Sequence, residues 1–317
     1  MRNTTALGAA FATATGLAWG AQFVVGKSAL ATVDAFPLTT VRYGIASLLL
    51  LAILAAVEGR RSFRLEGRGL RLLWLGTVGF AGFNLLAYTG LEHAKPQSAA
   101  LIVALGPLLT ALVLWQRTRV RPAARTFALL ALALAGVALV ISGGSPATLL
   151  HGAVGWGDVL VLGGVLSFVV YGLGAASVPE LSPLRYTALT AALGWPAILL
   201  ATVVATATGV SNRPSLHAVW SVAPQLAYLI VPGVIVAVVA WNAAIGILGP
   251  QNTSLFGNLI PITTFAIETI RGYRPGALEL AGAGLTIAAL VANNLLGRRS
   301  RPAPSIAVAR TELAEAA

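Results

Sequence analysis

Ten apolar runs, each close to the length that crosses a bilayer, follow one another along this chain. A helix rises about 1.5 Å per residue, so about 20 apolar residues span the ~30 Å hydrocarbon layer. By that ruler the runs fall at 6–31, 36–57, 71–92, 97–115, 125–142, 156–178, 184–208, 224–247, 253–270 and 277–297. They are continuous rather than strictly alternating, which points to helices and not to a barrel. Only 10% of the residues are charged and 57% are hydrophobic, whereas a soluble domain carries about 25% charged residues. A water-soluble fold of this size cannot hide that much apolar surface, so the expected fold is an all-α membrane protein of ten transmembrane helices. The first run is too long for the apolar core of a cleaved leader and has only Arg2 before it, so it reads as a retained span. The polar, proline-containing stretch 298–317 reads as a disordered cytoplasmic tail.

The net charge of +11 sets 21 basic residues against 10 acidic ones. In a soluble protein that would suggest nucleic acid. Here the arginines sit in short loops between apolar runs, where they orient helices and meet anionic lipid head groups, so lipid is the expected partner and nucleic acid is not. With the N-terminus in the cytoplasm, 15 Lys and Arg fall on the cytoplasmic side and 4 outside, with Lys27 and Arg42 within spans. That bias predicts both termini inside. There is no cysteine, and His93, His151 and His217 lie far apart, so neither a metal nor a cofactor is expected.

A repeat runs through the chain. KPQSAALIVALGP (95–107) aligns with GPQNTSLFGNLIP (249–261), and VRP (120–122) with YRP (273–275), at offsets of 154 and 153. Each pair sits at the same place in a group of five runs. Because five is odd, the second group enters the membrane upside down relative to the first, the arrangement that lets one site face either side. The expected units are 1–150 and 151–297, two inverted five-helix repeats; the pair is complete by itself, so a monomer is possible.

One stretch, WGAQFVVGKS (19–28), looks at first like a phosphate-binding loop. That motif needs four residues between its glycine and the Gly-Lys pair, after a strand; Gly20 to Gly26 leaves five, inside an apolar run. No nucleotide is expected. What the stretch resembles is the first-helix signature of the EamA-type drug/metabolite transporters, Trp-Gly-x-Asn-Phe-x-x-x-Lys, through Trp19, Gly20, Phe23 and Lys27, with Gln22 in place of Asn. The resemblance covers the whole chain: ten spans in two halves, prolines in runs 4 and 9, and Glu268 near the end of run 9. The family's usual Gly-Glu is Ile267-Glu268 here, and the first half has Trp115-Gln116 without the acid. Within the superfamily the chain is most similar to the YddG-type aromatic amino-acid exporters of bacteria. The resemblance implies a multi-pass protein of the bacterial inner membrane that exports small organic solutes, amino acids including aromatic ones foremost. Drugs, nucleosides and sugars are the alternative cargo, and a non-transporting receptor the more distant one.

Polar groups inside the spans mark the candidate site. Lys27, Arg42 and Glu268 fall at similar depth on the outer side and read as an ion pair or triad that gates that face; the competing reading is that Lys27 and Arg42 reach outward to head groups. Trp19, Gln22, Asn84, Tyr88, Ser167, Tyr171, Trp241, Asn242 and Asn258 are the candidate substrate-binding residues, since amides and hydroxyls hydrogen-bond a zwitterion while rings stack on an apolar side chain. The same residues also suit interhelical contacts. Pro107 and Pro261 are candidate hinges, or static kinks, and Gly194-Trp195-Pro196 and Pro232-Gly233 interrupt runs 7 and 8. No acid lies deep in a run as a proton carrier, and no cation lies near the midplane. No constellation of catalytic residues stands at membrane depth, so no enzyme is expected.

Overall fold

In the computed structural model the apolar runs become helices almost residue for residue. Residues 2–119, 121–143, 145, 155–248, 253 and 255–299 are described. The helices are α1 (Arg2–Leu30), α2 (Ala35–Glu58), α3 (Gly69–His93), α4 (Pro96–Ala104), α5 (Gly106–Thr118), α6 (Ala124–Ile141), α7 (Trp156–Gly174), α8 (Pro183–Ala207), α9 (Leu216–Ser221), α10 (Ala223–Leu248), α11 (Leu259–Ile270) and α12 (Ala277–Arg299). The boundary near 150, the Pro250-Gln251 pair and most of the tail lie outside the described residues.

Local chemistry sets the ends. Gly59 closes α2 with φ of 77°, a conformation that costs a side-chain-bearing residue more. Pro96 and Pro183 open their helices, where the missing N–H has no partner to lose. Ser182 Oγ caps α8 by accepting from Arg185 N at 3.0 Å, and Asp158 Oδ2 accepts from Gly155 N at 3.1 Å at the start of α7.

Seven of these helices, α1, α2, α3, α6, α7, α8 and α10, are long and apolar enough to cross a membrane. The α4–α5 pair, bent by 44°, passes the same test together and makes an eighth; α11 with its preceding turn and most of α12 are shorter apolar helices. Two of the expected interruptions differ. Helix α8 runs unbroken through Pro196. Pro232-Gly233 does not stop α10 but sits in a π turn, Val231–Val236, where the wider winding absorbs the missing N–H. A second π turn, Thr77–Gly82, lies in α3 without any proline. Pro107 and Pro261 lie in the first turns of α5 and α11, where a proline is tolerated, rather than in mid-helix.

The irregular points recur at the spacing of the sequence repeat. The π turns begin at Thr77 and Val231. Helices α5 and α11 begin at Gly106 and Leu259 and end against positive-φ residues, Arg119 at 58° and Gly272 at 100°. Packing follows the same pairing. Helix α1 packs on α10 and α11, α7 packs on α3 and on α4 and α5, α2 packs on α8, and α6 packs on α12. The α6–α12 crossing is made backbone to backbone: a Cβ on Gly136 would lie 2.5 Å from Gly282 O, and one on Gly282 2.7 Å from Gly136 O. Thr286 Oγ1 adds a bond to Ala133 O at 3.2 Å.

Candidate functional site

Arg42 stands seven residues into α2, about 10 Å from its end at 1.5 Å per residue, and is only 2% exposed. Its guanidinium is held inside the protein rather than free at the protein surface. Its Nη1 donates to Tyr88 Oη at 2.5 Å and its Nη2 to Gln22 Oε1 at 2.8 Å. The guanidinium also lies over two rings, Tyr43 at 5.2 Å and Tyr88 at 5.1 Å, each a favourable face for a cation. Helices α1, α2 and α3 therefore meet at one cation. Two glycines let them do so. A Cβ on Gly26 would press on the Tyr88 ring at 3.1 Å, and one on Gly233 would stand 2.8 Å from Gln22 Oε1. The second glycine belongs to the π turn of α10, so that turn faces the cluster.

No carboxylate pairs with Arg42 among the described residues, and its Nε has no acceptor. The expected triad with Lys27 and Glu268 is not assembled. Lys27 Nζ donates instead to the carbonyls of Leu91 and Glu92 at 2.7 and 2.8 Å, tying α1 to the end of α3. Glu268 pairs with Arg271 one turn on, at 3.0 Å. The three stand on different helices, α1, α2 and α11, and each side chain finds separate partners.

Around this cluster the aromatic residues form two groups. Trp19 and Trp241 meet at 5.3 Å, and Trp19 Nε1 donates to Gly233 O at 3.0 Å, a carbonyl of the π turn. On the other side Tyr43 meets Phe80 at 5.4 Å, Phe80 meets Tyr171 at 5.2 Å, and Tyr171 stacks on Tyr186 at 5.0 Å. Asn84 donates from Nδ2 to Phe80 O at 2.9 Å, again a π-turn carbonyl, while its buried Oδ1 has no partner. Other candidates serve local structure. Ser167 Oγ bonds Gly163 O of its own helix, and Asn258 Nδ2 bonds Leu255 O. The side chain of Asn242 lies outside those described. Sequence reasoning missed Tyr43, although it adjoins Arg42, and it missed Tyr186. No pattern in the sequence marks either as a partner of the site.

On the face expected to be cytoplasmic, the connections after α2 and α7 are tied by charge. Arg185 donates to Glu66 at 2.8 Å and to the Ser62 and Arg64 carbonyls, while Arg68 pairs with Glu66 at 2.9 Å and Glu180 at 3.4 Å. The Arg185 hydrogen bond and charge, reinforced by Arg68, hold the Glu66 carboxyl below the usual carboxylate range. Among the described residues no three His, Cys, Asp or Glu side chains gather as a metal site would require.

Comparison with known proteins places this architecture. Its backbone is similar to a solved crystal structure at a TM-score of 0.65 over 95% of this chain and all of that one, at 18% identity, which establishes likeness of fold. Two Bacillus subtilis proteins are similar in sequence. The uncharacterized transporter YrdR is 32% identical over 287 residues, 89% of each chain. The uncharacterized transporter YyaM is 30% identical over 248 residues, 78% of this chain and 80% of that one. The EamA-like transporter family model matches two stretches, residues 6–142 and 155–295. A multi-helical apolar fold, a buried polar cluster between its helices and matches across nearly the whole length agree, and the chain belongs to the EamA-like transporter family of membrane transporters.

Proposed function

We propose that the protein is a secondary transporter that exports small organic solutes, amino acids including aromatic ones, across the bacterial inner membrane by alternating access. Ten spans in two inverted five-helix repeats, 1–150 and 151–297, carry the movement, with both termini inside. The observation that bears most weight is the recurrence of the irregular points: π turns from Thr77 and Val231, and half-helix starts at Gly106 and Leu259. Irregular backbone at membrane depth is tolerated only where it lines a cavity or is buried in protein, and broken helices in paired positions frame the substrate site of inverted-repeat carriers. The match of one family model to two stretches supports the same duplication. Gln22, Arg42, Asn84 and Tyr88 supply polar contacts, and Trp19, Trp241, Phe80 and Tyr171 the apolar walls. With no acid deep in a span, the substrate gradient alone drives flux.

Uptake of labelled phenylalanine and other amino acids into proteoliposomes, with and without a proton gradient, tests this reading. Saturable, competable flux indifferent to the gradient supports it. Absence of flux for every amino acid, from protein shown to be folded, removes the amino-acid assignment and favours drugs or other metabolites.

A further inference from the structure

We infer that Arg42 is the receptor for a carboxylate on the transported solute, with Tyr88 and Gln22 as the neutral groups that hold its guanidinium in place. This deepens the transport reading and rests on it for the word "transported", but the binding step stands by itself.

The argument is one of charge balance. A cation taken out of water is expensive unless an anion comes with it, and in a membrane span such a residue is functional by default. Arg42 is 2% exposed and has only neutral partners, one phenol and one amide. All eight acids among the described residues are engaged elsewhere. Asp34 accepts from Asn212 N, Glu58 from Ser182, Glu92 from Ala35 N, and Asp158 from Gly155 N. Glu66, Glu180 and Glu268 pair with Arg68, Arg185 and Arg271, and Glu279 accepts from Tyr273. Among the described residues this charge is therefore buried without a counter-ion.

The donor count points the same way. A guanidinium has five N–H groups in a fixed fork; the two observed bonds use one on each Nη, and Nε–H is left buried without an acceptor. The unused Nε–H and a remaining Nη–H form the edge that a carboxylate meets with two parallel bonds. The guanidinium lies near the ring faces of Tyr43 and Tyr88, and its Nε–H edge is the donor side left without a partner. Because the cluster is shut from solvent here, a carboxylate reaches it only when the surrounding helices open, as the proposed alternating access requires. The substrate class that follows is the organic carboxylates, with amines and uncharged solutes excluded.

The test uses the full chain, purified in detergent, with three probes of one shape: phenylalanine, 3-phenylpropionate, which keeps the carboxylate and lacks the amine, and phenethylamine, which does the reverse. Thermal unfolding and tryptophan fluorescence read binding without transport. Saturable shifts with 3-phenylpropionate and phenylalanine, and at least tenfold weaker binding of phenethylamine, are expected. Arg42→Gln should lose the carboxylate response and Arg42→Lys should retain a weakened one. Phenethylamine binding as well as 3-phenylpropionate, or no shift with either carboxylate, overturns the inference on the unaltered protein, whatever the variants do. A folded Arg42→Gln that binds 3-phenylpropionate normally also overturns it. Binding of 3-phenylpropionate without binding or flux of phenylalanine leaves the receptor standing and removes the amino-acid reading; undiminished amino-acid flux in Arg42→Gln does the opposite.

Discussion

Replacing Tyr88 with phenylalanine keeps the ring that faces Arg42 and removes only the hydroxyl that accepts from it at 2.5 Å. A hydrogen bond to a charged group is worth about 1.5–3 kcal/mol. Interhelical bonds in membranes average nearer 0.6 kcal/mol, because the unfolded chain finds other partners. The burial of Arg42 decides between the two values. At 2% exposure, and with no carboxylate beside it among the described residues, the stranded Nη1 is left without an acceptor. The expected loss is therefore about 2 kcal/mol, roughly a thirtyfold shift in the unfolding equilibrium. Tyr43→Phe is the control. Its ring also faces the guanidinium, at 5.2 Å, but Arg42's bonds go to Tyr88 and Gln22, so its change should stay within about 0.5 kcal/mol. Reversible unfolding in SDS titrations measures both. Equal effects of the two substitutions would show that the Tyr88 hydroxyl does not hold the cation, and the account of the cluster would fall with it.

Glu268→Gln should change stability by no more than about 0.5 kcal/mol, as loss of a one-turn pair with half-exposed Arg271 does; a collapse of folding or flux would restore the outer-face triad. Gly76→Ala places a Cβ against Thr190 O of α8 and should cost about 1–3 kcal/mol by overpacking. Gly163→Ala meets only Leu86 Cδ1 at 3.6 Å and should be neutral or stabilising in the same denaturation assay. Glu66 is held low by Arg185 and Arg68, so its contribution to the tie between the loops is complete above the ordinary carboxylate pKa and is lost as pH falls through the depressed value. Hydrogen exchange of residues 58–69 and 174–185 should thus rise on acidification below about pH 4, and Glu66→Gln should show the loosened pattern already at pH 7.

Much of the fold was legible in the chain because the bilayer is a simple solvent. It accepts apolar helices of one length and rejects exposed backbone, so hydropathy alone located the helices to within a few residues, from Ala35–Glu58 to Pro183–Ala207. Proline and glycine chemistry located the α4–α5 bend at Gly106-Pro107. The π turn at Thr77–Gly82 has glycines but no proline. The Tyr171 ring packs directly on Gly79 there, a long-range contact of which the local sequence carries no record.

The site shows the same division more sharply. Arg42, Gln22 and Tyr88 each stood out as polar groups within apolar runs, a property of single residues that the sequence determined by itself. Which of them would meet was decided by the tertiary structure. Each residue turns a helix by about 100°, so depth estimated from sequence position says nothing about the face on which a side chain emerges. Arg42, Lys27 and Glu268 shared a depth and parted to separate neighbours, while Gln22, Arg42 and Tyr88 converged because Gly26 and Gly233 allow close approach. Long-range packing of α1, α2, α3 and α10 sets those rotations. The sequence by itself determined that a cation would stand within an apolar run, and only the tertiary structure decided that Arg42 would be buried with no carboxylate beside it among the described residues, because helix rotation and packing choose its neighbours.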